Sequence, residues 1–280
     1  MVIIYSIEMK KIIDISKKVE KNEPNEYLFS ICTLVTRKEE YEEMLESFLQ
    51  KGFTADCCEY MYIDNSQNCT FDAYQGLNIF LQRAKGKYVI LCHQDIIIHD
   101  NDKDYLLKLI EEVNNKDKNW GVLGNAGGVN LKWIATHITQ ANDRVIIEKD
   151  APLKVNSVDE NFIVVKNSAN LALSVNLKGF HFYGTDICLI ADVLGFSSYF
   201  IKFNLTHKSN GNTDENFFKI LKQLKHKYKK AFRSRFLTTT FSRFYLSGNY
   251  TYYLFNTKPI LFLVRQYYKF FTKRKDYKLE

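Results

Sequence analysis

The chain has 280 residues, 46% of them hydrophobic and 25% charged, with a net charge of +7, 12 Gly and only 3 Pro. That balance fits a globular protein with one large α/β domain plus an appendage, and it excludes collagenous, low-complexity and largely unfolded classes. No run of about 18 uncharged apolar residues occurs, so no membrane-spanning helix is predicted.

Residues 1–26 carry a weak helical stripe of Met9, Ile12, Ile13, Ile15 and Val19 before Asn22-Glu23-Pro24, and read as an N-terminal extension. Ile3-Ile4 is soon followed by Glu8 with no apolar core, so no signal peptide is expected. Residues 27–35 read as a strand, and Lys38 to Gln50 as a helix with Tyr41, Met44, Leu45 and Phe48 on one face. A second strand is expected over Cys58–Ile63, and a helix from Asp72 to Ala84 with Tyr74, Leu77 and Leu81 at helical spacing. Strand 88–92, a helix around Tyr105–Val113 and a short strand at Trp120–Leu123 follow. Strand and helix alternating at this spacing predict a mostly parallel sheet, the layout of nucleotide-binding folds. Residues 124–155, with Gly127-Gly128, read as an acceptor loop or an edge hairpin, and a further helix begins near Asp186. The six cysteines form no zinc-like C-x-x-C pair and are expected as reduced, buried thiols.

The segment Gly86-Lys87-Tyr88-Val89-Ile90-Leu91-Cys92-His93-Gln94-Asp95 is an apolar run ending in three polar residues. It reads as a strand buried on both faces, and ligands of open α/β sheets sit beyond such carboxyl ends. Upstream lie Phe29-Ser30-Ile31-Cys32-Thr33, Tyr62-Ile63-Asp64-Asn65-Ser66 and Asp72-Ala73-Tyr74-Gln75-Gly76. Downstream lie Phe180-His181-Phe182-Tyr183-Gly184-Thr185-Asp186 and His207-Lys208-Ser209-Asn210-Gly211. Taken in order over residues 27 to 212, these pieces resemble the GT-A glycosyltransferases related to family two, in the bacterial branch with His-Gln-Asp in place of Asp-x-Asp.

The resemblance implies a GT-A α/β fold and a metal-dependent, inverting transfer of sugar from a nucleotide-diphospho-sugar. Asp95 would then be the direct ligand of a divalent cation, Mn²⁺ or Mg²⁺, and His207 a second one. Thr33, Asp64, Asp72, His93, Gln94 and Asp95 would line the donor. Asp64 has the alternative of an Asx turn, Asp72 that of a helix N-cap, and His93 that of a buried structural imidazole. Asp186 would be the general base, or a helix-stabilising carboxylate, with Asp159 and Glu160 as the alternative base or as acceptor ligands. His181 and Tyr183 would complete the acceptor pocket.

Charge divides the chain. Residues 216–280 hold 16 Lys/Arg against Asp276 and Glu280, a net +14, while residues 1–215 carry −7. The same tail holds 18 of the 41 aromatic residues. From Phe217 onward a cationic amphipathic helix is expected, and Pro259–Lys275 repeats the theme. Such segments dock on anionic membranes or pack on a neighbouring domain. Nucleic acid is not the expected partner, since no recognised binding motif accompanies the charge. The expectation is therefore an N-terminal extension at 1–26, a catalytic domain at 27–215 and a mainly helical appendage at 216–280. The protein would act in the cytoplasm, on the inner face of the cell membrane, on a lipid-linked or other surface saccharide. Two rivals stand beside it: a nucleotidyltransferase, although Thr33–Arg37 lacks that class's glycines, and a non-catalytic binding subunit of the same fold.

Overall fold

The structure, a computed structural model, describes residues 25–140, 143–146, 150–209 and 213–271. The N-terminal stripe from Met9 to Val19 and Gly211 of the His-x-Ser-x-Gly sequence lie outside the described residues. The chain forms two compact units, Met1–Gly211 and Asn212–Glu280.

The first unit opens with β1 (Tyr27–Val35), α1 (Lys38–Gln50), β2 (Cys58–Asp64), α2 (Ala73–Arg83), β3 (Gly86–Cys92), β4 (Ile96–Ile97), α3 (Lys103–Lys116) and β5 (Trp120–Gly124). It continues through β6 (Ala126–Gly128), β7 (Ile134–Gln140), β8 (Asp143–Ile146), β9 (Leu153–Val155), β10 (Ser157–Val158) and β11 (Phe162–Lys166). It ends with α4 (Tyr183–Val193), β12 (Ser197–Phe200) and β13 (Thr206–His207). Its seven-stranded sheet has the order β2-β1-β3-β11-β5-β12-β9. β2, β1 and β3 are mutually parallel, as are β5 and β12, while β11 and β9 run against their neighbours. The fold is thus α/β, with a mostly parallel central sheet flanked by helices.

Central strands are apolar on both faces because helices cover the sheet. In β1, Phe29, Ile31, Cys32 and Val35 are all buried. α1 turns Tyr41, Met44 and Phe48 inward, and α3 does the same with Leu106, Leu109, Ile110 and Val113. Phe53 joins Phe29 and Phe48 at ring-centre distances of 5.5 and 5.2 Å. Each large side chain so removed from water contributes about 1.5–3 kcal/mol.

Register places the chemistry. Val35 pairs with Asp64 and Thr33 with Cys92, so β1, β2 and β3 end along one edge of the sheet. β11 is antiparallel to β3, with Phe162 opposite Cys92, so residues 159–161 enter at that same edge. A second sheet, β10-β6-β7-β13-β4 with β8 on β7, sets His207 opposite Ile96, one residue beyond Asp95. Residues 124–155, open between acceptor loop and hairpin in the sequence, are strand-rich, and β7 and β8 form an antiparallel pair. All six cysteines are free; Cys32, Cys58, Cys92 and Cys188 are buried, but Cys69 is exposed.

The second unit contains α5 (Glu215–Ala231), β14 (Arg235–Thr238), β15 (Arg243–Leu246), α6 (Thr251–Phe255) and α7 (Lys258–Phe271). Asp214 caps α5 by accepting from the Phe217 amide at 2.9 Å. Beside its three helices this unit holds one short antiparallel hairpin, β14–β15. Its Phe236 and Tyr245 rings lie 4.8 Å apart and Tyr245 lies 5.0 Å from Phe255 of α6. Asn256 ties the hairpin in strand-like fashion, its Oδ1 accepting from the Tyr245 amide and its Nδ2 donating to the Tyr245 carbonyl, both at 2.9 Å. Among the described residues no helix is long and apolar enough to cross a membrane.

Candidate active site

β3 ends at Cys92, and the next three residues turn out of the sheet at the edge where ligands of this fold class sit. The His93 amide donates to the Asn161 carbonyl at 3.0 Å, which fixes the exit against the loop entering β11. Across from it the Lys208 amide donates to the Asp95 carbonyl at 3.0 Å, continuing the β4–β13 ladder. Residues more than a hundred positions apart in the chain are thereby brought together. His207 Nε2 lies 3.4 Å from Asp95 Oδ1 and 3.3 Å from His93 Nδ1, and His93 Nδ1 lies 3.9 Å from Asp95 Oδ1. One ligand atom from each residue falls within 4.8 Å of the others, so His93, Asp95 and His207 could hold a metal ion.

Hydrogen bonding fixes the tautomer of His93. Tyr183 Oη donates to the Glu160 carbonyl at 3.1 Å, which uses its single proton. His93 Nε2, 2.8 Å from Tyr183 Oη, must then be the donor in that pair. The Nδ1 lone pair is left facing His207 and Asp95, the outer-contact arrangement typical of metal-ligating imidazoles. Burial, and then the charge of His207, lower the His93 pKa. Burial opposes ionisation of Asp95, but hydrogen bonds from His207 and Ser209 and the charges of both histidines outweigh it, holding the carboxyl well below the usual range. Two imidazoles and one carboxylate make a donor set that fits a divalent transition metal.

A cleft of about 250 Å³ opens beside this cluster, lined by Thr36, Arg37, Leu77, His93, Asp95, Phe180 and Tyr183 among others. Tyr183 enters it from the first turn of α4, where Phe182 adopts a left-handed backbone with φ of 66°. A bulky residue in that conformation is strained by about 1–3 kcal/mol, a cost typical of functional sites. Glu160 Oε1 accepts from the Gly184 amide at 3.3 Å, at the positive end of α4. Burial, and then the charge of Asp159, push the Glu160 carboxyl up to about 8 against the pull of backbone amides at 182–184. Asp159 itself is exposed and takes the Asn161 amide at 3.0 Å.

Several residues expected at the site stand elsewhere. Asp186, expected as the base, is fully buried, and its carboxylate accepts from the Ser174 amide at 2.8 Å and hydroxyl at 2.6 Å. That placement corrects the expectation, because a base must meet the acceptor hydroxyl within hydrogen-bond reach. Thr33 is also sealed inside, with Oγ1 3.4 Å from Cys92 Sγ. Gln94, by contrast, does line the cleft, held by the β1–α1 loop, with Oε1 accepting from the Thr36 and Arg37 amides at 2.7 and 2.9 Å and Nε2 donating to Thr36 Oγ1 at 2.9 Å. Asp64 forms an Asx turn to the Ser66 amide at 2.9 Å and an ion pair with Lys38 at 2.9 Å, partners that hold its carboxyl well below the usual range. Asp72 caps α2 through the Gln75 amide at 2.9 Å and reaches the Gly179 amide at 3.1 Å. His181 is half-buried, its carbonyl accepting from Tyr74 Oη at 2.9 Å. Thr36, Arg37 and Phe180, which do line the cleft, escaped the sequence reading; for the first two the signal is their place directly after β1.

No family model matches the chain. Among solved structures it is similar to the mannosyltransferase PcManGT from Pyrobaculum calidifontis, solved in complex with GDP-Man and Mn²⁺: 13% identity, 96% of this chain and 77% of that one, TM-score 0.48. It is also similar to TarS of S. aureus, at 14% identity over 72% of this chain and 39% of that one, with a TM-score of 0.49. Likenesses this distant carry no weight in reading the site. A protein of Fuscovulum blasticum described as ATP synthase subunits region ORF 6 is 34% identical over 240 residues, which cover 83% of this chain and 96% of that protein. The chain belongs to the family of that Fuscovulum blasticum ORF 6 protein.

Proposed function

We propose that the first unit is a metal-dependent glycosyltransferase of the GT-A type. It moves a sugar, with inversion, from a nucleotide-diphospho-sugar to a hydroxyl of a saccharide acceptor. The convergence of His93 Nδ1, Asp95 Oδ1 and His207 Nε2 at the carboxyl edge of a parallel sheet carries this reading. The sequence resemblance, over residues 27 to 212, supplies the reaction class. A UDP-hexose or UDP-N-acetylhexosamine is the proposed donor, on that resemblance alone.

His93, Asp95 and His207 would hold the cation through those three atoms. Two imidazole nitrogens favour Mn²⁺ over Mg²⁺, which prefers an all-oxygen shell. The cation would neutralise charge developing on the departing diphosphate. Arg37 lines the cleft while ion-paired to Glu40 at 2.7 Å, and would contact the donor from there. Glu160 replaces Asp186 as the proposed general base, with burial, and then the like charge of Asp159, holding its proton affinity high. Tyr183 orients His93 and shapes the acceptor side of the cleft. The basic, aromatic second unit is proposed to keep the enzyme on an anionic membrane surface, the cytoplasmic face, where lipid-linked saccharide acceptors are found.

The test is a panel of nucleotide sugars with Mn²⁺, following nucleotide release. Wild-type protein should turn over one donor in a Mn²⁺-dependent manner. Asp95→Asn should keep the fold and lose at least about 100-fold of that activity, since a neutral amide replaces a hard anionic ligand. Full Mn²⁺-stimulated turnover by Asp95→Asn would sink the assignment.

A further inference from the structure

The second unit has a cleft of its own, of about 440 Å³, lined by the β14–β15 hairpin and α7. That volume falls within the range of small-molecule sites. Phe236, Phe244, Leu261 and Val264 form apolar walls, and Arg243 and Arg265 line the same space. Leu261, Val264 and Arg265 recur at i, i+3 and i+4, so one stripe of α7 faces the hairpin. The hairpin wall is itself fixed, by the Phe236–Tyr245–Phe255 ring cluster and the two Asn256 hydrogen bonds.

The sequence from Asn216 to Lys275 contains no Asp or Glu, so no carboxylate on the hairpin, α6 or α7 neutralises the two guanidiniums. Two forked cationic donors beside an apolar slot complement an alkyl chain that ends in phosphate, because several anionic oxygens can engage both forks. We propose that this cleft is a site for one membrane lipid with a phosphate head. The chain lies among the apolar walls and the phosphate rests on Arg243 and Arg265. The site is independent of sugar transfer and of Asp95. It also differs from diffuse attraction to an anionic surface, since it is saturable with one lipid per chain.

The experiment titrates the full chain calorimetrically with hexyl, octyl and decyl phosphate below their micelle concentrations. Inorganic phosphate and the uncharged octyl glucoside serve as controls. One-to-one saturation is expected, tightening by up to about fourfold per methylene while the slot has room. Both controls should bind at least about tenfold more weakly than the alkyl phosphate of matching length. The double variant Arg243→Gln/Arg265→Gln should lose at least about tenfold with an unchanged melting profile. Val264→Trp should exclude the chain; if it fails to fold, the exposed arginine pair decides alone. Non-saturable uptake, equal binding of inorganic phosphate, or undiminished binding by the arginine variant would each overturn the site.

Discussion

Glu160 is the residue at which burial and neighbouring charge act together, and its ionisation should be visible in stability. The folded protein holds this carboxyl up to about 8, against an unfolded value near 4.5. Between those values the folded state binds the proton and the unfolded state does not. Glu160 therefore contributes stability that is fully present below the unfolded value and is lost as pH rises through about 8. Wild-type urea-unfolding free energy should decline across that window by up to about 1.4 kcal/mol per pH unit, and Glu160→Gln should flatten the decline. The same variant should lose about 10²–10⁴ in turnover with little change in donor affinity if the side chain is the base. A variant with wild-type turnover would return that role to Asp159. Residues whose partners are near in sequence were the more readable ones. Asp64 and Asp72 meet Ser66 and Gln75, two and three positions on, so turn and cap were visible as alternatives from the start. Whether Asp186 faces the cleft or Ser174, twelve positions back, depends on how the loop between them folds, which residue spacing does not encode.

At the scale of elements, α4 presses against β10 closely enough that a Cβ on Gly184 would collide with the Val158 carbonyl oxygen. This approach delivers the Gly184 amide to Glu160 and Tyr183 to His93. Gly184→Ala should lower stability by about 1–3 kcal/mol, as overpacking does, and weaken Mn²⁺ binding by displacing Tyr183. Urea unfolding and a Mn²⁺ titration measure the two effects; unchanged Mn²⁺ affinity would separate the helix position from the metal cluster. The elements of the central sheet were legible because buried parallel strands read as unbroken apolar runs and their helices as one-sided stripes. The start of α4 was less so: Phe182 precedes it where Ser, Thr, Asp or Asn would have announced an N-cap. The β14–β15 hairpin was hidden for a related reason. Its turn, Thr239-Thr240-Phe241-Ser242, has no Gly, Asn, Asp or Pro, and its Phe, Tyr and Arg residues blend into a basic aromatic tail.

Across the whole molecule the charge is split, −7 over residues 1–215 and +14 over residues 216–280. A uniform surface of either sign would give general solubility; a split one gives the second unit its own preference for an anionic partner. The second unit also exposes large rings, with Phe241 97% and Tyr250 84% accessible, and α7 shows Phe262, Leu263, Phe270 and Phe271 to solvent. Basic residues near an anionic bilayer contribute about 1 kcal/mol each, within a Debye length of about 8 Å at physiological salt. Only a handful of the 16 tail cations is therefore needed for binding at low salt, with the exposed rings adding an apolar component that salt does not screen. The full chain should sediment with vesicles of phosphatidylcholine mixed with phosphatidylglycerol, and much less with phosphatidylcholine alone. Raising the salt should release most of it and leave a smaller bound fraction. Replacing Phe270 and Phe271 together by Ser should reduce that salt-resistant fraction, while replacing Lys229 and Lys230 by Gln should shift the salt midpoint downward. Equal sedimentation with the two vesicle types, or binding indifferent to salt, would remove the membrane from the account and leave the second unit's exposed rings to be covered by protein.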